Sequence, residues 1–470
     1  IAGQAFERFN PTDIPFVINQ ISGVYILSGA INTNRITIRG IGARTPYGTN
    51  KLRMYFNGIP VTNGTGSSTI EAYDFENLGA VEVIKGPKAT AFGSNLGGAI
   101  LLNTKASVED KTQFINSFAL GSYNMLKDNL TFSHSEEGFN LNLSYNHLET
   151  DGFRQNSQFQ RDGLLLNTQF RTGQKSSIAL LVNYIDYTAH IPSSINQTDF
   201  EEDPTRAPSN WLESQGYEAN KYILTGLSYT HQFSEQLQNT TSVFYTYLDH
   251  YEPRPFNILD EFTNGFGFRS RFTGNWGKAQ FTFGGEFYKD EYQWGTFENL
   301  YEENAGNGSL QGEQLSDNIE FRRQFNLFGT LTYPITTKLS AQFGLNLNKT
   351  NYDFRDLFNQ GAANASAERD FDAILLPNLG VNYQLKNGMV YANISSGFSN
   401  PSLEETLTPD GVINPDIAQE TGTNYELGSE WSLFNKRLSA NIVLYRMNVK
   451  NLLVAQRVGE DQYIGRNAGK

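Results

Sequence analysis

The 470 residues contain no cysteine. Disulfide scaffolds, thiolate zinc sites and cysteine nucleophiles are therefore excluded. Histidine is scarce: His134, His147, His190, His231 and His250 stand singly, with no metal-ligand spacing among them. No phosphate-cradling lysine loop, serine elbow or zinc helix is present. The carboxylate pairs Glu136-Glu137, Glu201-Glu202 and Glu404-Glu405 read as solvated charge in turns and loops. The expectation is a protein without catalytic residues, metal or cofactor. Basic charge is also short: 36 Lys and Arg face 49 Asp and Glu, for a net charge of −13. Nucleic acid is a poor partner for such a chain, because its recognition needs clustered cations that displace counterions. Long apolar runs are missing too. Stretches such as Ile178 to Val182 and Ala99 to Leu102 fall far short of the roughly 18 residues of a membrane helix.

A mean hydropathy of −0.45 has the look of a soluble protein. It does not exclude a membrane barrel, whose lipid-facing and lumen-facing residues alternate along each strand. Aromatic residues make up 13% of the chain, with 34 Phe, 24 Tyr and 43 Gly. From about residue 107 onward one unit recurs, an alternating stretch of about ten residues followed by a turn. Phe139, Leu141, Leu143 and Tyr145 alternate with Asn140, Asn142, Ser144 and Asn146. Phe281, Phe283 and Phe287 alternate with Gln280, Thr282 and Glu286, and Ala341, Phe343, Leu345 and Leu347 with Gln342, Asn346 and Asn348. The second face is amide- and hydroxyl-rich, as a wet lumen requires.

The connections separate a barrel from a soluble sandwich. Tight turns at Ser135-Glu136-Glu137-Gly138, Thr172-Gly173-Gln174-Lys175, Asn275-Trp276-Gly277-Lys278, Lys386-Asn387-Gly388 and Phe434-Asn435-Lys436 alternate with long connections near 190–220, 251–264, 293–317, 353–370 and 398–422. Short periplasmic turns and long extracellular loops are how outer-membrane barrels sort their connections. The fold predicted is an all-β antiparallel transmembrane barrel, 107–470, with about fifteen or sixteen strands present of about 22 in the full protein. Residues 1–106, with short apolar runs split by Gly-rich turns, are expected to form a globular plug inside the lumen. The chain opens at Ile1-Ala2-Gly3 and its last strand near Leu452 to Val458 looks unfinished, so both units are expected to be incomplete at the outer ends.

Three plug segments carry a stronger signal together than alone. They are Ile36-Thr37-Ile38-Arg39-Gly40-Ile41-Gly42, then Met54-Tyr55-Phe56-Asn57-Gly58-Ile59-Pro60, and Gly79-Ala80-Val81-Glu82-Val83-Ile84-Lys85-Gly86-Pro87 followed by Ala91-Phe92-Gly93-Ser94-Asn95-Leu96-Gly97-Gly98-Ala99-Ile100. In this order they resemble the plug of TonB-dependent receptors. The barrel adds Thr150-Asp151-Gly152-Phe153-Arg154, the stretch Ile191-Pro192 to Phe200 with Asp203-Pro204, Ser396-Gly397-Phe398 with Pro401-Ser402-Leu403, and Glu420-Thr421 with Asn424-Tyr425-Glu426-Leu427-Gly428. The chain departs from the family at Asn57, where Asp is common, at Lys85 (Arg) and at Gln419 (Pro), and it lacks the coupling box that precedes the plug.

The resemblance implies a multi-pass protein of the bacterial outer membrane, a compartment that suits the absence of cysteine. It implies active import of a ferric siderophore or ferric citrate-like chelate, driven by TonB and its inner-membrane proton-channel complex. Iron is favoured by the loop from Ile191 to Pro204. Cobalamin or carbohydrate receptors share the architecture. A transport-inactive barrel serving as scaffold in an outer-membrane complex is the rival reading. Outer-membrane lipid and lipopolysaccharide, and surface lipoproteins or other complex subunits, are the further partners implied. The plug is expected to be locked to the barrel through Arg39, Glu82, Lys85 and Glu426. Ligand is expected at Arg44, Thr45, Tyr47, Asn50, Asn63 and Thr65 in the plug loops, and at Arg206, Tyr251 and Arg254 in the barrel loops. Arginine suits this work because it stays charged and grips carboxylates with a two-pronged fork.

Overall fold

The computed structural model describes residues 5–6, 14–28, 31, 34–44, 51–61, 68, 70, 73–105, 110–401, 406, 414, 417–459 and 462–468. The inner unit holds a short helix, α1 (Ile14–Ile18), and six strands: β1 (Val24–Ser28), β2 (Asn34–Ile38), β3 (Arg53–Phe56), β4 (Ile59–Pro60), β5 (Leu78–Lys85) and β6 (Gly98–Thr104). β1 and β2 form a hairpin; the other four make a mixed sheet in the order β4-β3-β6-β5, with β3 and β6 parallel. Its core is apolar: Ile18, Ile36, Ile38, Met54, Phe56, Ile70, Leu78, Ile100 and Leu102 are all buried. Gly42 is needed where the chain leaves β2. Its φ is +95°, and a Cβ there would stand 2.5 Å from the Ile36 carbonyl oxygen.

The outer unit is one continuous antiparallel meander. Its strands are β7 (Lys111–Leu120), β8 (Leu126–Glu136), β9 (Phe139–Thr150), β10 (Phe159–Gly173), β11 (Ser176–His190), β12 (Tyr217–Ser234), β13 (Leu237–Arg254), β14 (Asn257–Trp276), β15 (Ala279–Asn299), β16 (Gln311–Pro334) and β17 (Leu339–Asp356). After a short β18 (Ala367–Asp370) that pairs with β17, it continues with β19 (Ile374–Leu385), β20 (Gly388–Ser399), β21 (Glu420–Leu433) and β22 (Leu438–Lys450). A separate hairpin, β23 (Leu452–Gly459) with β24 (Gln462–Ala468), follows. Fifteen strands thus lie in one path with β18 beside it. Two helices, α2 (Gln197–Glu202) and α3 (Ser209–Ser214), decorate the β11–β12 connection. Among the described residues no helix is long and apolar enough to cross a membrane.

Burial follows the alternation with the usual polarity inverted. On β9, Asn142, Ser144 and Asn146 are buried while Leu143 and Tyr145 are exposed. On β15, Phe283 and Phe287 are exposed and Glu286 is buried; on β17, Phe343 is exposed and Asn346 and Asn348 are buried. The sheet shows an apolar band outward and a polar wall inward, the arrangement of a barrel in lipid. What covers the polar wall is the inner unit, whose apolar core continues into Leu148, Phe159, Leu165, Leu181, Ile185, Leu224 and Phe244 on β9–β13.

One expected long connection is short. Residues 251–264 were expected as a loop, yet β13 and β14 are joined by residues 255–256 alone, and the ladder runs unbroken from Arg254↔Asn257 downward. The alternation of the sequence simply continues past the membrane, so pairing continues with it. The connection expected at 293–317 shrinks for the same reason, because β15 runs to Asn299 and β16 starts at Gln311.

Candidate functional site

The chemistry of this molecule lies where the inner unit meets the barrel wall. Its centre is Glu426 on β21, whose side chain has no exposed surface. Arg39, placed by a left-handed backbone (φ +54°) after β2, donates from Nη1 to Glu426 Oε2 at 2.5 Å. Its guanidinium also lies over the Tyr445 ring, 4.5 Å from the centroid. Lys88 donates to Glu426 Oε1 at 2.9 Å, and the Tyr391 hydroxyl donates to the same oxygen at 2.8 Å. One buried carboxylate is therefore held by two cations from the plug and one phenol from the barrel.

A second centre forms around Glu286 on β15. Arg53 of β3 approaches it at 3.9 Å and also bonds Gln324. The Tyr55 hydroxyl donates to Glu286 Oε2 at 3.3 Å. Here the barrel supplies a cation of its own: Arg269 on β14 pairs with Glu286 and donates to the Ala91 carbonyl at 2.7 Å. Lys51 with Glu420 at 3.6 Å adds a fourth plug cation on a barrel acid, and Arg161 with Asp74 at 3.9 Å reverses the polarity.

Polar hooks finish the seating. Asn346 donates to the Thr90 carbonyl at 2.8 Å, and Asn378 to the Lys88 carbonyl at 3.1 Å. Leu96 N–H donates to the Phe398 carbonyl at 3.0 Å and Phe398 N–H to the Ser94 carbonyl at 3.2 Å, so the plug makes one backbone bridge to β20. The lumen asparagines that the alternation exposes in sequence are the partners of plug carbonyls in space.

Of the residues expected to lock the plug, the fold brings Arg39 and Glu426 together. Lys85 makes a different contact. Its ammonium donates to the Ser22 carbonyl at 2.5 Å, inside the plug, and the cation that reaches Glu426 is Lys88. The reason is strand pairing: Lys85 is the last residue of β5, paired with Gly98, while Lys88 lies beyond the turn, where Asn378 binds its carbonyl. Burial, with the nearby charges of Arg39 and Lys88, pushes the Lys85 ammonium below the usual lysine range. Glu82 is exposed on β5. Lys88, Arg53 and Lys51 escape sequence reasoning because each follows or precedes its motif rather than sitting in it.

Of the expected ligand residues, Arg44 is exposed at the end of the Gly42 turn. Thr45, Tyr47, Asn50, Asn63 and Thr65 lie outside the described residues. Arg206 is occupied within its own loop, pairing with Asp199 at 2.6 Å and Glu202 at 3.6 Å. Tyr251 and Arg254 are on β13 rather than in a loop, and they face opposite ways. Thr246 is buried and Tyr245 exposed on this strand, so even positions point inward. Arg254 therefore shares the inner wall with His250 and Glu252, 3.7 Å from the latter. Tyr251 faces outward, its ring 6.2 Å from that of Tyr217.

The 191–216 connection is a built wall rather than a loose loop. Arg154 donates to the carbonyls of Pro192 (3.1 Å), Ser193 (2.5 Å) and Arg206 (2.7 Å). Asn156 donates to those of Ile191 and Gly216 at 2.9 and 2.8 Å. The β15–β16 connection joins in through Gly308 N–H on the Glu213 carbonyl and Ser309 on that of Ser214.

Residues 152–470 match the family model "TonB dependent receptor-like, beta-barrel", and residues 1–100 match "TonB-dependent Receptor Plug Domain". Solved structures agree in fold. The unliganded ferric citrate transporter FecA superposes with a TM-score of 0.80 at 18% identity, over 96% of this chain and 69% of that one. The ferric-catecholate import receptor Fiu from E. coli K12 gives 0.75 at 15% identity, over 98% and 75%. The copper transporter OprC gives 0.78 at 15%, over 98% and 75%. At these identities the likeness is one of fold, and the three differ in what their names say they carry. With a barrel model covering more than half its length, this chain belongs to the TonB-dependent receptor family.

Proposed function

We propose that this protein imports a bulky ferric chelate, of the ferric siderophore or ferric citrate class, across the bacterial outer membrane. In this reading residues 1–106 are the stopper and 107–470 the wall. TonB, driven by its inner-membrane proton channel, supplies the pull that rearranges the stopper. The protein performs no bond chemistry; it couples ligand binding and mechanical work to a change in the plug.

The observation that carries the reading is the seating of the plug. A passive pore needs no stopper, and a purely structural stopper would be fused to the wall by apolar packing alone. Here the contact along β9–β13 is mainly apolar, with the Arg161–Asp74 ion pair and the Tyr73–Tyr222 hydrogen bond within it, but on β14–β21 it depends on Arg39, Lys51, Arg53 and Lys88 bonded to wall carboxylates. Ion pairs of this kind break and re-form without leaving an apolar cavity. The names of FecA and Fiu favour iron. Ligand contacts are assigned to the plug end around Arg44 and to the inner-wall residues His250, Glu252 and Arg254 above Phe244.

The test is binding of ferric chelates, a copper complex, cobalamin and oligosaccharides to the folded barrel, read by intrinsic fluorescence. Saturable binding of one ferric chelate, absent with the iron-free chelator and weakened at least tenfold by Arg254→Ala, supports the reading. Binding of cobalamin, copper or a glycan alone replaces the substrate class. No binding at all removes the importer.

A further inference from the structure

The arginines at the loop-bearing end of the barrel are already engaged. Arg254 stands 3.7 Å from Glu252, donates to Asn257 at 2.9 Å and lies over the Phe256 ring. Arg206 is held by Asp199 and Glu202. On β16, Arg322 donates to Glu320 at 2.7 Å and lies over the Tyr352 ring. On β18, Arg369 donates to the Ile417 carbonyl at 2.6 Å. An anionic ligand would have to take these cations from partners they already hold.

Carboxylates on the same inner wall are in surplus. Asn220 and Tyr222 are buried on β12 and Lys221 is exposed, so Glu218 faces inward with His250 and Glu252 of β13. Glu261 of β14 stands directly across from His250 and faces the same way. The charges of His250, Glu252 and Glu261 all act on Glu218. Glu218 and Glu261 are half-buried and accept from phenols, that of Tyr187 at 3.4 Å and that of Tyr292 respectively. Among the described residues neither has a Lys, Arg or His nitrogen within 4.0 Å. Tyr292 leads to a third acid, two residues away on the same face of β15. That acid is Asp290, 1% exposed, with no hydrogen-bond partner for either carboxylate oxygen. Arg322 lies directly across from it yet bonds Glu320. A carboxylate so placed is stabilised by a cation brought close to it, because little water is there to screen the attraction.

On the importer reading given above, on which this rests, we propose that the imported ferric chelate carries a protonated amine, which docks between Glu218 and Glu261 on the inner wall of β12–β14. The substrate class narrows accordingly, from ferric chelates in general to those with a cationic group. An ammonium has three donors and no acceptor, so it can serve two carboxylates at once. It supplies the charge that the wall's own arginines, tied to Glu252 and Glu320, do not. Tyr292 stacks on Trp294 with ring centroids 4.6 Å apart, so the acids stand beside aromatic rings, the other class of group that attracts an ammonium. Ferric citrate, with its anionic carboxylates, meets the opposite field.

The experiment uses the purified full chain in detergent, with intrinsic fluorescence as readout and two matched probes. One is the ferric complex of desferrioxamine B, a linear trihydroxamate with a free terminal ammonium. The other is its N-acetylated form, which lacks only that charge. The expected result is that the ammonium form binds tighter by about tenfold or more, the worth of one charge-assisted hydrogen bond. In Glu218→Gln/Glu261→Gln the ratio should fall below about twofold, with the affinity for the acetylated form unchanged, which also shows that the variant is folded. Glu149→Gln, an exposed acid on β9, should leave the ratio as it is. Three results would overturn the proposal and leave the importer standing: equal affinity for the two probes, a ratio that persists in the double variant, or binding of anionic ferric citrate in place of both. Binding of no ferric chelate at all removes the importer and this site with it.

Discussion

Replacing Glu426 with Gln tests the plug lock directly. The substitution keeps an oxygen for Tyr391 and removes the charge that Arg39 and Lys88 share. The two cations do not suffer equally. Lys88 keeps a side-chain exposure of 30% and can turn to water, whereas Arg39 is 6% exposed. Arg39 retains its contact with the Tyr445 ring, which is worth about 0.5–2 kcal/mol. Breaking a buried pair by removing one partner costs about 3–5 kcal/mol. With one cation resolvated and the other partly compensated, the lower end applies, about 3 kcal/mol, or about a hundredfold in the population of the unseated plug. The assay is hydrogen–deuterium exchange of the 34–41 segment, where Arg39 N–H donates to the Gly23 carbonyl at 2.8 Å, together with exclusion of a large antibiotic by cells. Exchange should accelerate by that factor, and Arg39→Gln in the Glu426→Gln background should add little, because the two act as a unit. Unchanged exchange and unchanged exclusion, with a barrel of normal thermal stability, would refute the lock.

Four other substitutions probe different layers. Gly42→Ala should destabilise the plug by more than about 2 kcal/mol, since both φ and the Ile36 carbonyl oppose a Cβ, while Gly40→Ala, with nothing within 4 Å of its Cβ, should cost only about 1 kcal/mol; plug unfolding in urea separates them. Gly397→Ala would push a Cβ to 2.4 Å from Pro87 and 2.7 Å from the Ser94 carbonyl. It should weaken the plug's bridge to β20 by about 1–3 kcal/mol, read as faster exchange of the Leu96 and Phe398 amides. Arg154→Gln removes donors to three carbonyls and should raise proteolysis within 191–216 several-fold without lowering the barrel's melting temperature.

The barrel was legible because its rule is local. Alternation in Leu141–Asn146 or Phe343–Asn348 states which face meets lipid, and the buried Asn146, Asn346 and Asn348 are where that rule puts them. Loop lengths were less legible, since nothing in residues 251–264 marks where membrane ends and a free hairpin begins. The site was legible only in part. Arg39 and Glu426 stand inside recognisable segments, and their meeting joins residues 387 apart in sequence. Lys88 replaced Lys85 because the register of β5 decides which lysine reaches the wall, and register is a property of pairing, not of either motif. Tyr251 was misplaced for a related reason: a residue read as loop has no face, and the same residue in a strand has one.

The two charged centres differ in what each leaves behind when the plug moves. Glu426 takes both of its cations from the plug, so withdrawal strands a buried carboxylate with only Tyr391. Glu286 keeps Arg269, which belongs to the wall. Removing Arg53 therefore leaves Glu286 neutralised, and the cost reduces to lost hydrogen bonds, about 1.5–3 kcal/mol for a charged donor. Arg39→Gln/Lys88→Gln strips Glu426 of both its cations, whereas Arg53→Gln leaves Glu286 its Arg269, so the double variant should unseat the plug more by about tenfold in the same exchange assay. Adding Arg269→Gln should raise the cost of Arg53→Gln to match, because Glu286 then becomes a carboxylate with no cation. Equal effects of Arg39→Gln/Lys88→Gln and of Arg53→Gln alone would mean that the wall's own arginine does not hold Glu286 in the way its geometry requires.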